Sequence, residues 1–162
     1  MKIKIMATGG TFDKIYYDAS SEFHIGDPMA TPLLEEANVS FEYEVESILK
    51  KDSLELDDDD RETIRKKVEA DPCDLIVITH GTDSMVKTAR CLLDIKDKTI
   101  VVTGAMQPAR MRYSDSIYNL AAATTAVQLL QAGVYIAMNG QVFDPLSTTK
   151  NVAQCRFESS TD

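Results

Sequence analysis

Apolar residues in this chain fall into short runs separated by segments of helical period. Residues 2–6 alternate lysine with isoleucine and methionine, a period-two pattern that predicts a strand over residues 2–7. Residues 41–48, 75–79, 99–103 and 134–138 are further runs with the length and content of strands. Helical patterns lie between them. Thr31-Pro32 offers an N-cap with proline at the first helical position and predicts a short helix through Ala37. A second helix is predicted over residues 57–70, stopping before Pro72. A third follows Thr82-Asp83 and gathers Met85, Val86, Ala89, Leu92 and Leu93 on one face. A fourth starts near Ser114-Asp115, is expected to bury Ile117, Leu120, Ala121 and Thr124, and ends before Gly133, the expected C-cap. Strands alternating with helices predict an α/β layered domain with a mainly parallel sheet. Ligands in such sheets bind beyond the carboxyl ends of the strands, so the residues that follow each strand are the ones to inspect.

Three strand ends carry polar groups. After the first comes Ala7-Thr8-Gly9-Gly10-Thr11, where two glycines permit a sharp turn and expose backbone N–H groups between two hydroxyls. It lacks the third glycine of a dinucleotide fingerprint and the Gly-Lys-Ser/Thr of a P-loop. After residues 75–79 comes His80-Gly81-Thr82-Asp83-Ser84-Met85. The residues alone leave two readings here: Thr82 or Asp83 caps the next helix, or this run of four polar groups is reactive. His80 reads equally as a hydrogen-bonded buried histidine or as a catalyst. After residues 99–102 comes Thr103-Gly104-Ala105-Met106-Gln107-Pro108, whose small residues would keep a pocket open or simply form a turn.

Composition narrows the field. Of 162 residues, 44% are hydrophobic and 27% charged, the balance of an ordinary globular chain, and no apolar run approaches a membrane span. The formal net charge of -9 argues against a nucleic-acid or membrane partner, because both need a positive face. A small anionic substrate stays open, since a local helix terminus can bind one. The acidic run at residues 57–60 reads as a solvated first helical turn; it lacks the alternating ligands and central glycine of a calcium loop. Cys73, Cys91 and Cys155 are far apart, and His24 and His80 are the two histidines, so neither a zinc site nor a disulfide framework is indicated. Cys73 and Cys91 are expected to be buried thiols. Nothing at the N-terminus reads as a signal peptide, and the expected location is cytoplasmic.

Taken together, TGGT at residues 8–11, HGTDSM at 80–85 and TGAMQP at 103–108 resemble the asparaginase family, specifically its N-terminal domain. Asn119-Leu120 after Tyr113-Ser114-Asp115 adds to the match, which runs from Met1 to about Gln154. The resemblance implies a three-layer α/β fold, Rossmann-like or flavodoxin-like, with a mainly parallel sheet and helices on both faces. It implies amide hydrolysis without metal or cofactor: a side-chain amide, of asparagine or a related compound, becomes a carboxylate and ammonia. Thr11 matches the family's usual nucleophile, and Thr82, Asp83 and Lys150 match its Thr-Lys-Asp triad. Ser53 lies where the family binds a substrate α-carboxylate; Gly10 and Gly81 complete the expected substrate-binding set. Which threonine attacks is left open by the residues themselves. The resemblance also implies a homo-oligomer.

The chain departs from the family at three places. Family members carry a second domain, which is expected to be absent here; the polar tail from Glu158 reads as a natural terminus. Phe23 stands where the family has a tyrosine whose hydroxyl assists the nucleophile. Tyr16 or Tyr17 could replace it from the loop at residues 12–30, a length suited to a mobile lid, or could pack that loop on the domain. Leu54, beside Ser53, replaces a polar residue that contacts the substrate's amino group. Two other functions fit the same motifs: an amino-acid-binding domain without turnover, and an ammonia-releasing component of an amidotransferase.

Overall fold

The computed structural model describes residues 1–160. In chain order the strands are β1 (Lys2–Gly9), β2 (Lys14–Tyr17), β3 (Glu22–Ile25), β4 (Glu42–Lys51), β5 (Leu75–Thr79), β6 (Thr99–Thr103), β7 (Gly133–Met138), β8 (Gln141–Phe143), β9 (Thr148–Asn151) and β10 (Arg156–Ser159). The helices are α1 (Ala30–Glu36), α2 (Asp58–Ala70), α3 (Met85–Cys91) and α4 (Ser116–Leu129). One six-stranded sheet runs β4-β1-β5-β6-β7-β8, with the first five strands parallel and β8 antiparallel to β7. β2 pairs with β3, and β9 with β10, as two antiparallel hairpins outside it.

Alternation along each strand sends side chains to two cores. Met6, Ile76, Ile78, Ile100, Val102 and Ile136 meet Ile64 and Val68 of α2 and Met85 and Ala89 of α3. Ile3, Ile5, Val77, Val101 and Ala137 meet Leu34 of α1 and Leu120, Ala123 and Val127 of α4. Helices therefore cover both faces, as an α/β layered domain requires, and the central strands read as near-continuous apolar runs because both of their faces are buried. No helix of the described residues is long and apolar enough to cross a membrane.

Several predicted details differ. α1 begins at Ala30 after Met29, so Thr31 and Pro32 fall inside the first turn rather than at its boundary. The end is satisfied from elsewhere in the chain: the Asp13 carboxylate accepts the Met29 N–H at 2.8 Å. In α4 the buried face is Ser116, Asn119, Leu120, Ala123, Thr124, Ala126 and Val127, while Ile117 and Ala121 point outward. Small residues let this helix approach the sheet closely, and the periodicity of large apolar residues misplaces its stripe. Cys73 is half-buried and Cys91 exposed, contrary to expectation; on α3 the core is built from Met85, Thr88 and Ala89 instead. α3 follows Ser84 without a side-chain cap, so neither Thr82 nor Asp83 is used to cap it. At α2 the acidic run does cap: Asp57 and Asp60 exchange side-chain-to-backbone bonds in a capping box. Within residues 12–30 lies the β2–β3 hairpin, where Tyr16 faces Phe23 edge-on with ring centroids 5.3 Å apart. Of the polar tail, Thr161 and Asp162 lie outside the described residues.

Candidate active site

Parallel order brings the carboxyl ends of β1, β4 and β5 to one edge of the domain. β1 ends at Gly9, and the Gly10 N–H donates to the Lys51 carbonyl at 2.9 Å. Gly10 has φ +75°, a conformation open to glycine at little cost. A β-carbon there would lie 2.5 Å from Gly81 Cα, and one on Gly81 would lie 2.5 Å from Ser53 Cβ. Gly10 and Gly81 are therefore packed backbone against backbone, and the Ser53 side chain closes on the other side of Gly81, so three sequence-distant segments meet at this glycine. Thr11 follows Gly10 as the first residue of a short 3-10 turn and is half-buried.

Lys150 reaches this cluster from β9. Its neighbour across the hairpin is Phe157, which is buried in the core and whose N–H donates to Asn139 Oδ1 at 2.8 Å. The hairpin is thus anchored directly behind the lysine. Lys150 Nζ donates to Thr82 Oγ1 at 2.8 Å and to Asp83 Oδ1 at 2.7 Å. Thr82 is 7% exposed, whereas the side chains of Lys150 and Asp83 are 17% and 42% exposed. Exposure falls from the carboxylate through the amine to the hydroxyl, so a ligand meets the ion pair before it meets Thr82. The Asp83 N–H donates to Ser53 Oγ at 3.2 Å, and Ser84 Oγ donates to the Ser53 carbonyl at 2.6 Å. These bonds tie the segment at residue 53 to the one at residues 82–84.

Other motif residues act one step away. The Asp115 carboxylate accepts N–H bonds from Met106 and Gln107, and Asn119 Nδ2 donates to the Gly104 carbonyl at 2.9 Å and to Asp115 at 3.0 Å. The two hold the loop after β6 in shape. His80 is fully buried, with a partner at each ring nitrogen. Leu54 is exposed.

Sequence reasoning missed the attachments of the β2–β3 hairpin. Lys14 Nζ pairs with Asp52 at 2.9 Å, and Asp52 also accepts the Leu54 N–H, so the hairpin is tied to the residues flanking Ser53. Burial is the largest influence on Asp52 and works against its ionisation, but the hydrogen bond and charge of Lys14 together with the Leu54 and Ser53 N–H groups outweigh it and hold the carboxyl below its ordinary value. Lys50 pairs with Asp27 at the other end of the same loop. A cavity of about 410 Å³ lies between the hairpin and the end of β4, bounded by Lys14, Phe23, Ile25, Lys50 and Asp52 among others. The one sequence signal was charge of opposite sign on both sides, which a solvated loop would show equally. Among the described residues no group of three or more His, Cys, Asp or Glu side chains gathers where it could hold a metal.

Comparison with known proteins places these residues in context. Residues 2–159 match a family model described as asparaginase, N-terminal. L-asparaginase 2 of Escherichia coli is 36% identical over 163 residues, covering 91% of this chain and 46% of that protein. The solved structure of the thermostable L-asparaginase from Thermococcus kodakarensis superposes with a TM-score of 0.83 at 28% identity, covering 98% of this chain and 51% of that one. A glutamyl-tRNA(Gln) amidotransferase component of Methanococcus vannielii is 33% identical over 87 residues, covering 52% of this chain and 20% of that protein. The chain spans about half the length of the two L-asparaginases.

Proposed function

The chain belongs to the asparaginase family, and on that footing we propose that it hydrolyses the side-chain amide of asparagine or a close relative to a carboxylate and ammonia, using Thr11, Thr82, Asp83 and Lys150. The observation that carries this reading is the pair of bonds from one Lys150 amine to Thr82 Oγ1 and Asp83 Oδ1. A lysine on the β9–β10 hairpin has no packing reason to reach a threonine at the end of a buried strand, since exposed water would solvate its charge better.

The proposed chemistry has two stages. Thr11 Oγ adds to the amide carbon, its proton passes through Thr82 to the leaving nitrogen, and the C–N bond breaks to release ammonia. Water then cleaves the resulting ester, freeing the carboxylate and restoring the Thr11 hydroxyl. A threonine hydroxyl is a weak nucleophile and needs such a relay. The positive Lys150 amine stabilises negative charge on the Thr82 oxygen as the proton leaves, and Asp83 fixes the direction of that amine. Backbone N–H groups at Gly10-Thr11 and Gly81-Thr82 supply donors for the oxyanion. Ser53 Oγ accepts from the Asp83 N–H, which leaves its own hydrogen for a substrate α-carboxylate. Asp83 has a second oxygen for the substrate's α-ammonium. Tyr16 and Phe23 form the exposed wall of the hairpin beside this edge, and Tyr16 is the hydroxyl-bearing member of that pair.

Residues 2–159 supply all of these groups, which supports reading the chain as one unit of the N-terminal type. The partial match to an amidotransferase component favours a second reading, in which the ammonia is passed to a partner. Ammonia release from asparagine, glutamine and their analogues tests the first reading. Thr11→Ala and Thr82→Val are each expected to lose on the order of 100-fold or more in kcat. Full rates in both variants would remove the mechanism.

A further inference from the structure

His80 sits at the centre of the strand-end cluster yet has no part in the chemistry above. Its ring is fully buried. Nδ1 lies 2.8 Å from the Gly81 carbonyl oxygen, and Nε2 lies 2.8 Å from Thr88 Oγ1 on the first turn of α3. A carbonyl oxygen only accepts, so Nδ1 carries the hydrogen. Burial, opposed by the Gly81 bond and reinforced by the charge of Arg61, brings the ring pKa down to about 4. The ring is therefore neutral near pH 7, Nε2 is an acceptor, and the Thr88 hydroxyl donates to it. The Gly81 carbonyl thus selects the tautomer, and Thr88 supplies the hydrogen that Nε2 accepts and holds the ring in place.

Gripping that carbonyl has a geometric consequence. No peptide bond in the described residues is cis, and in a trans peptide the C=O and the following N–H point in opposite directions. With the Gly81 oxygen turned to His80, the Thr82 N–H is turned away from it. Thr82 is 7% exposed, and among the described residues its N–H forms no backbone hydrogen bond. A nearly buried, unpaired donor calls for a partner that the chain itself does not provide. The backbone leading into this peptide is held from other sides as well. Gly10 and Ser53 press on Gly81, the His80 N–H donates to the Thr103 carbonyl at 2.8 Å, and a β-carbon on Gly104 would lie 2.2 Å from the His80 oxygen.

We propose that His80 and Thr88 are positioning residues that lock the Gly81–Thr82 peptide so that the Thr82 N–H faces the oxygen of the reacting amide. The inference rests on the hydrolase reading and deepens it: the imidazole acts through a backbone donor and exchanges no proton with substrate.

The test uses the full chain and steady-state ammonia release, with kcat and KM measured separately. His80→Asn keeps a side-chain N–H close to the position of Nδ1, whereas His80→Leu fills the space without a donor. His80→Leu is expected to lower kcat about 100-fold, the cost of one misplaced oxyanion donor, with KM little changed. His80→Asn is expected to recover most of that loss. Thr88→Val covers the case in which His80→Leu does not fold: it leaves the ring in place without its donor, and kcat is expected to fall about tenfold. Long-range nitrogen–proton NMR spectra of the wild type are expected to keep the hydrogen on Nδ1 from about pH 5 to about pH 9. An active wild type matched in kcat by His80→Leu, or by Thr88→Val where the leucine variant does not fold, would overturn the inference and leave the hydrolase reading standing. His80→Asn as slow as His80→Leu would reduce the ring to a packing residue and also overturn it. A wild-type chain that releases no ammonia from any amide would overturn the hydrolase reading, and this role with it.

Discussion

Gly81 lies between Gly10 and Ser53 with no room for a β-carbon on the Ser53 side, and Gly10 abuts its own Cα and nitrogen. One added methyl must push Ser53 away or shift the backbone that presents Thr82. Gly81→Ala is expected to cost about 1–3 kcal/mol in urea denaturation, the usual effect of overpacking. It is also expected to lower kcat about 100-fold, because a displacement near 1 Å is enough to misalign reacting groups. A variant that loses stability but keeps its kcat would show that the close contact of Gly10, Gly81 and Ser53 serves packing alone. This residue-scale crowding was partly legible in advance. The glycines after the strands at residues 2–9 and 75–79 mark close approach in any α/β sheet, but what approaches them is a contact over tens of residues. Ser53 as the wall of Gly81 could be suggested only by resemblance, and the bond from Lys150 to Thr82 likewise.

At the scale of elements, the buried strands were the easiest to read, because burial on both faces leaves an uninterrupted apolar run such as Leu75-Ile76-Val77-Ile78. The β2–β3 hairpin was not legible. Its aromatic residues Tyr16, Tyr17 and Phe23 are exposed and its strands have only four residues each, so no apolar face distinguishes them from a loop. The start of α1 was misread for a related reason: its cap comes from Asp13, sixteen residues away from Met29. That carboxyl joins the two ends of the hairpin segment and makes it sensitive to pH. Burial pushes Asp13 up to about 7, against the pull of the Met29 N–H and of Lys50, while the unfolded chain holds it near 3.9. Between those values the folded chain binds the extra proton, so stability falls as pH rises through the window and levels off above about 7. Asp13→Asn keeps an oxygen for Met29 and removes the charge. The variant is expected to gain on the parent between about pH 5 and about pH 8, ending roughly 1–3 kcal/mol more stable in urea titrations. A difference that stays constant across that range would contradict a buried, titrating carboxyl.

On the scale of the whole molecule, two cores fix a sheet whose order gathers β4, β1 and β5 at one edge. That order brings the segments at Gly10, Ser53 and Gly81-Thr82 together, which explains why motifs scattered through the sequence meet in space. Lys150 is the most telling member, since it arrives on a separate hairpin whose Phe157 is sunk in the core behind it. The most direct test is therefore ammonia release from asparagine by the wild type and by Lys150→Met, with both proteins shown to be equally folded. The proposed four-residue reaction centre predicts a measurable wild-type rate and a loss of about 100-fold or more in kcat in the variant. An unchanged rate in Lys150→Met would contradict it.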